Sequence, residues 1–237
     1  MQKAVVDIGN TKTKIFLFND SELLEQWSFD LEVKVDLSAY IAEEIPLIIS
    51  AVGNLENRLN FKKHEQCILL SHQTPLPILL NYDTPETLGL DRIANAVAVA
   101  NNSSHQLIID IGSCVTFDLL DRQNVYQGGL IYPGIDMRFK AMHKFTDKLP
   151  SIDWRDNWTS NDVLGKSTQS SMLMGVKQSM IMELDGLIHR YNEQYHNLDV
   201  HLTGGDSVFF EKELKSSIFA QPYLGAVGLR KILEYNL

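Results

Sequence analysis

"AVVDIGNTKTKIFLF", residues 4–18, reads as an apolar strand, a turn at Gly9-Asn10 and a second apolar strand. Residues 107–120, "LIIDIGSCVTFDLL", write nearly the same pattern, with Asp110 standing 103 residues after Asp7 and Thr116 the same interval after Thr13. One Asp-Ile-Gly is an ordinary strand end followed by a turn. Two of them, each heading a similar stretch of chain, are a duplicated device. Glycine at such a turn lets backbone N–H groups approach a phosphate chain, and the hydroxyls of Thr11 and Ser113 add donors at the same place. The carboxylates of Asp7 and Asp110 are then suited to the cation that accompanies a polyphosphate.

Working outward, "LLEQWSFDL" reads as a third strand after the Asn19-Asp20 turn, so the chain opens with a three-strand meander. "DLSAYIAEE" carries a short helical pattern, "PLIIS" and "QCILLS" read as buried strands, and "DRIANAVAVANN" from Asp91 is an Ala-rich helix. The pattern then restarts with "QLIIDIG", "CVTFDLLD" and "VYQGGLIYPG", a second meander. A long helix over Ser170 to about Tyr195, the strand and glycine pair of "DVHLTGGD", and a C-terminal helix "LGAVGLRKILEYN" follow. The segment 150–162 has no period and reads as a loop. The expected organisation is α/β, with two similar halves at 1–105 and 106–237, each built on a mixed sheet.

Composition limits the partners. A chain of 237 residues, 44 % hydrophobic and 22 % charged, can bury one large core or two modest ones. A formal net charge of −9 provides no basic stripe for nucleic acid, and no run is long enough to span a membrane. Cys67 and Cys114 form no CxxC pair and follow no secretory leader, which points to reduced thiols in the cytoplasm. His196 and His201 share neither a helix face nor a strand face, so no zinc site is inferred.

Two further stretches carry chemistry. In "GLDR", Gly89 to Arg92, Asp91 could serve as the N-cap of the following helix or accept a hydroxyl proton during phosphoryl transfer. Arg92 could be a solvated charge or a fork for a substrate carboxylate. "GKST", residues 165–168, resembles the end of a P-loop, but the position of the first glycine is Ser160 and no apolar strand precedes it.

Taken together, these motifs resemble the actin-like, hexokinase and sugar-kinase superfamily, and more closely the type III pantothenate kinases, over nearly the whole chain. The family's DxGNT motif is matched by Asp7, Gly9, Asn10 and Thr11, with Lys14 downstream. Its DxGTAxTxD is matched by Asp110, Gly112, Ser113, Cys114, Thr116 and Asp118, with Ser for Thr and Cys for Ala. Tyr82 followed by "GLDR", then "GGLIYPG", "GKST" and "TGG", stand in the family's order.

The resemblance implies two actin-like (ribonuclease H-like) halves, with ATP in a cleft between them and phosphates on Asp7, Gly9, Asn10, Thr11, Lys14, Gly112, Ser113 and Thr116. It places adenosine near Thr203, Gly204 and Gly205, and Mg²⁺ near Asp7. It also assigns a potassium or ammonium ion to Asp110, and leaves Asp118 without a role. Pantothenate would meet Tyr82, Gly89, Leu90 and Arg92, with Asp91 as catalytic base and Thr168 reaching across a homodimer into the neighbour's site. The Met-rich stretch after Thr168 would fill either core or that two-fold interface. The alternatives are an actin-like ATPase scaffold, a regulatory homologue without turnover, and a kinase for another small alcohol.

Overall fold

The computed structural model describes residues 1–9, 11–51, 57–60, 64–158 and 162–237. Two units emerge: residues 1–100 with 124–126 and 223–237, and residues 101–123 with 127–222.

In the first unit, strands β1 (Gln2–Ile8), β2 (Lys12–Asn19) and β3 (Glu22–Asp30) form the antiparallel meander. After a two-residue strand β4 (Val35–Asp36), β5 (Leu47–Ala51) joins β1 in parallel. Then β6 (Leu59–Asn60) pairs with β4, and β7 (Cys67–Leu69) joins β5 in parallel, giving the sheet order β3-β2-β1-β5-β7. Alternation along the central strands sorts the side chains. Ala4, Val6, Ile8, Ile15, Leu17, Leu47 and Ile49 face a core closed by Val35, Leu37, Ile41 and Leu59. Val5 and Phe16 lie on the opposite face, where Tyr223 meets the Phe16 ring edge-on at 5.7 Å and Arg230 lies over Phe18. Short strand β8 (Leu79–Leu80) pairs with Val125 and Tyr126, and helix α1 (Leu90–Val99) follows it.

The second unit repeats the plan. Strands β9 (His105–Ile111), β10 (Cys114–Leu120) and β11 (Val125–Pro133) are the second meander. Helices α2 (Ile135–Lys144) and α3 (Thr168–Gln194) separate it from β12 (Leu198–Thr203), which lies parallel to β9, and β13 (Phe219–Ala220) lies parallel to β12. The order β11-β10-β9-β12-β13 is that of the first sheet, with two parallel strands added beside the opening strand of a meander. Leu107, Ile109, Ile111, Val115 and Phe117 pack against α2 and α3, with Trp154 and Trp158 in the same cluster. That cluster absorbs Met172, Met174 and Met180, while Met182 stays 69 % exposed.

Three local expectations change. "DLSAYIAEE" forms one turn at Leu37–Ala39, capped by the Asp36 carboxylate, because Tyr40 is drawn onto the rings of Trp27 and Phe29 at 5.3 Å instead of continuing a helix. Helix α2 was not legible from its weak period; it buries Ile135 and Phe139, four residues apart, and puts Asp136 in its first turn and His143 and Lys144 in its last. The C-terminal helix α4 (Leu224–Asn236), which a division at residue 106 assigns to the second half, belongs to the first unit and packs on α1. A methyl group added at Gly228 would overlap the Ala94 carbonyl, so the two helices cross at a glycine. Lys231 Nζ donates to the Ala98 carbonyl at 2.6 Å. Among the described residues, no helix is long and apolar enough to cross a membrane.

Candidate active site

The two Asp-Ile-Gly hairpins differ in register by one residue. Asp7 lies opposite Lys14 and Ile8 opposite Thr13, whereas Asp110 lies opposite Thr116 and Ile111 opposite Val115. The first loop is one residue longer, so Lys14 takes the place of Thr116, and Thr13 takes that of Val115. The equal 103-residue interval therefore pairs the wrong threonine. Thr13 occupies a core position, fully buried, and its hydroxyl has no hydrogen-bond partner among the described residues.

Asp7 shares with Lys14 the sheet face opposite the Ala4/Val6/Ile8 core. Burial pushes its carboxyl above the usual carboxylate range; Lys14 opposes that rise and the nearby charge of Asp91 adds to it. A carboxylate strained in this way gains from a cation. Gly9 closes the turn by donating to the Lys12 carbonyl at 3.1 Å, and Thr11 is exposed. Asn10 lies outside the described residues.

Helix α1 carries the "GLDR" residues. Its N-cap is Gly89, so Asp91 is not the cap; it stands exposed in the first turn and accepts the Arg92 N–H at 2.8 Å. A Cβ at Gly89 would stand 2.4 Å from Asp91 Oδ1, so a side chain there would push the Asp91 carboxylate from its position. Leu90 opens the helix and is half-buried. Arg92 is buried at 5 % exposure, its guanidinium 6.0 Å from the centre of the Tyr126 ring, and Tyr82 meets that ring edge-on at 5.9 Å. The structure thus brings Tyr82 and Arg92 together through Tyr126, a residue that sequence reasoning missed.

In the second unit the expected residues gather at the carboxyl ends of parallel strands β9 and β12, where open α/β sheets place their ligands. Thr203 lies opposite Asp110 in the parallel register. Gly204 takes φ +99°, and a Cβ there would stand 2.5 Å from Asp110 Oδ1, so only glycine lets this turn lie against the carboxylate. A Cβ at Gly205 would meet nothing, so packing does not explain that glycine.

Gly112 donates to Cys114 O at 2.9 Å, and Gly134 donates to Ser113 O at 3.2 Å. A Cβ on Gly134 would strike the carbonyls of Gly112 and Ser113, so the loop turns its carbonyls toward the start of α2. Thr116 Oγ1 donates to the buried Asp118 at 3.2 Å.

"GKST" is a helix start. Ser167 caps α3 in a reciprocal capping box with Ser170, and Gly165 rests against the helix's first turn. Thr168 is exposed and lines a cavity of about 900 Å³ with Arg138, Met142, Met172, Gly175 and Val176. Among the described residues, the lining of that cavity includes none of Asp110, Gly112, Ser113, Thr203, Gly204 or Gly205. Among the described residues, no three His, Cys, Asp or Glu side chains converge on a common metal position. A Mg²⁺ ion held by one carboxylate plus phosphates and water fits this donor set, because that ion retains most of its water.

Comparison with known proteins identifies the family and the fold. The type III pantothenate kinase family profile matches residues 4–190. A type III pantothenate kinase from Phocaeicola vulgatus is 39 % identical over 241 residues, covering 98 % of each chain. Among solved structures, a conserved Campylobacter jejuni protein described as a Baf family transcriptional activator superposes with TM-score 0.62 at 20 % identity, over 98 % of each chain. A glucokinase from an Antarctic psychrotroph superposes with TM-score 0.53 at 11 % identity, over 99 % of each chain. The fold is that of the actin-like ATPases and sugar kinases. With the motifs, the duplicated sheets and full-length similarity in agreement, the chain belongs to the type III pantothenate kinase family.

Proposed function

We propose that this protein transfers the γ-phosphoryl group of ATP to the primary hydroxyl of pantothenate, giving 4′-phosphopantothenate, the first step of coenzyme A synthesis. The observation that carries the reading is the first unit's charge arrangement. Asp91 is exposed on the first turn of α1, near enough to raise the Asp7 carboxyl, with Arg92 beside it.

Asp91 accepts the hydroxyl proton, and Arg92 offers its planar fork to the pantothenate carboxylate. Tyr82, Gly89 and Leu90 shape the same end of the substrate site. Lys14 and the amides around Gly9, Asn10 and Thr11 hold phosphate oxygens, as do Gly112, Ser113 and Thr116, while Thr203, Gly204 and Gly205 receive the adenosine. Mg²⁺, when bound near Asp7, neutralises charge on the phosphates, and a potassium or ammonium ion near Asp110 does the same. Catalysis then rests on positioning and charge neutralisation, as phosphoryl transfer requires. The free thiols of Cys67 and Cys114 fit a reducing cytoplasm.

Exposed Thr168 beside an open cavity, with Met182 exposed on the same helix, supports a homodimer in which Thr168 completes the neighbour's pantothenate site. Thr168→Ala should weaken pantothenate binding by about three- to tenfold, the worth of one hydrogen bond, with ATP binding kept. Titration calorimetry with each substrate checks this, and an unchanged pantothenate affinity would remove the shared site.

The test of the whole reading is a coupled assay of ADP release with ATP, Mg²⁺ and potassium, with and without pantothenate. Release should require pantothenate and should drop when sodium replaces potassium. Release without pantothenate would indicate an ATPase scaffold. No release under any condition would indicate a regulatory homologue or a kinase for a different alcohol.

A further inference from the structure

The loop between α2 and α3 shows no periodicity in sequence, yet it carries a polar bridge that joins two carboxylates of the second unit. Trp154, 1 % exposed, donates its indole N–H to Asp136 Oδ1 at 2.5 Å. Its neighbour Arg155 stacks on the indole, with the guanidinium carbon 4.5 Å from the ring centre. The same guanidinium reaches Asp136 at 3.4 Å and Asp206 at 3.6 Å. One cation therefore joins two carboxylates that belong to different parts of the fold.

Each carboxylate is itself tied to the candidate nucleotide site. Asp136 stands in the first turn of α2, whose N-cap Gly134 donates to the Ser113 carbonyl of the second hairpin loop. Asp206 directly follows Gly204-Gly205, and its N–H donates to Ile111 O at 3.0 Å, at the end of β9. These contacts form a closed ring: the Gly112-Ser113 loop, α2, Asp136, Arg155, Asp206, β9. The electrostatics show that the bridge is felt at both ends. Burial raises the Asp206 carboxyl, Arg155 opposes that rise and Asp136 adds to it. At Asp136 burial also acts upward, but the bonds from Trp154 and Arg155 bring the carboxyl below its ordinary value.

We propose that Arg155 is a positioning residue for the nucleotide, clamping Asp136 to Asp206 so that the hairpin loop and the Gly204-Gly205 turn keep the spacing that one ATP molecule spans. The proposal rests on the assignment of phosphates to Gly112-Ser113 and adenosine to Thr203–Gly205. A loosened clamp would leave each contact intact in itself while mismatching the two. The cost therefore falls on a ligand that must reach both places. A ligand that reaches only one is spared.

The experiment compares the wild-type enzyme with Arg155→Met and Arg155→Lys, using steady-state kinetics and inhibition by tripolyphosphate and by adenosine. For Arg155→Met, KM for ATP should rise by about fivefold or more, with kcat and KM for pantothenate within about twofold and both fragments inhibiting as before. Arg155→Lys should recover part of the loss, because it keeps the charge but cannot fork to both carboxylates. An unchanged KM for ATP in a folded Arg155→Met protein would overturn the clamp. So would equal weakening of the separate fragments, which would mark a general loss of structure. Should that variant fold poorly, Asp206→Asn removes one end of the clamp at constant shape and should show the same split; the absence of the split there would also overturn the proposal. Wild-type protein that releases no ADP with pantothenate would refute the kinase reading itself, and that result is distinguishable from all of these.

Discussion

Asp91→Asn should lower kcat by about two to four orders of magnitude, the usual contribution of a positioned general base, while ATP still binds. The substitution is nearly isosteric. Its amide oxygen can still accept the Arg92 N–H that Asp91 Oδ1 accepts at 2.8 Å, and the helix N-cap is Gly89, so the first turn of α1 does not depend on the carboxylate. Only the ability to take up a proton and one negative charge are lost. Removing that charge also relieves Asp7, whose carboxyl Asp91 helps to raise; the Asp7 carboxyl should move back toward the usual range and remain available to a cation. Rapid-quench turnover and nucleotide titration, run side by side, separate the two effects. Turnover within tenfold of wild type would end the catalytic-base assignment.

Gly228→Ala should destabilise the protein by about 3 kcal/mol or more, at the upper end of overpacking costs, because the new methyl group has nowhere to go. The Cβ would overlap the Ala94 carbonyl oxygen and press on its carbonyl carbon, which is backbone and cannot rotate aside. Relief requires α1 and α4 to separate. Since α1 carries Asp91 and Arg92, activity should fall together with the melting temperature. The neighbouring Gly225→Ala is the control: the nearest group to its new methyl is Asn95 Oδ1 at 3.4 Å, an ordinary contact, so its melting temperature should stay within a few degrees. Equal melting temperatures for Gly228→Ala and wild type would show that the helices do not cross at this glycine.

Much of the architecture was legible because it is local. Alternation, turn glycines and the repeated Asp-Ile-Gly mark both meanders without any knowledge of what they pack against. The helix expected from Asp91 begins one residue earlier, at Leu90, and that expected from Ser170 begins at Thr168. The failures have specific causes. The 36–44 segment has helical spacing, but its aromatic residue is captured by two rings of the neighbouring sheet. The α2 segment has only two fully buried positions, too few for a period to stand out.

The candidate site divides in the same way. Glycines and carboxylates were legible as types, and the structure gives two of them a local reason: Gly204 takes a positive φ against the Asp110 carboxylate, and Asp91 stands exposed in the first turn of α1. Tyr126 and Arg155 were not legible, because each acts through partners distant in sequence: Tyr126 with Tyr82 and Arg92, Arg155 with Asp136 and Asp206.

The sequence by itself determined the fold class, the duplication and the family, since strand periodicity and short motifs are properties of neighbouring residues. Only the tertiary structure decided that Lys14 rather than Thr13 faces the Asp7 strand as Thr116 faces Asp110, because hairpin register depends on how a loop closes and not on a constant interval. It also decided that the C-terminal helix serves the first unit and that an aperiodic loop supplies the Arg155 bridge. Contacts between residues far apart in the chain are set by packing, and the order of the residues does not record them.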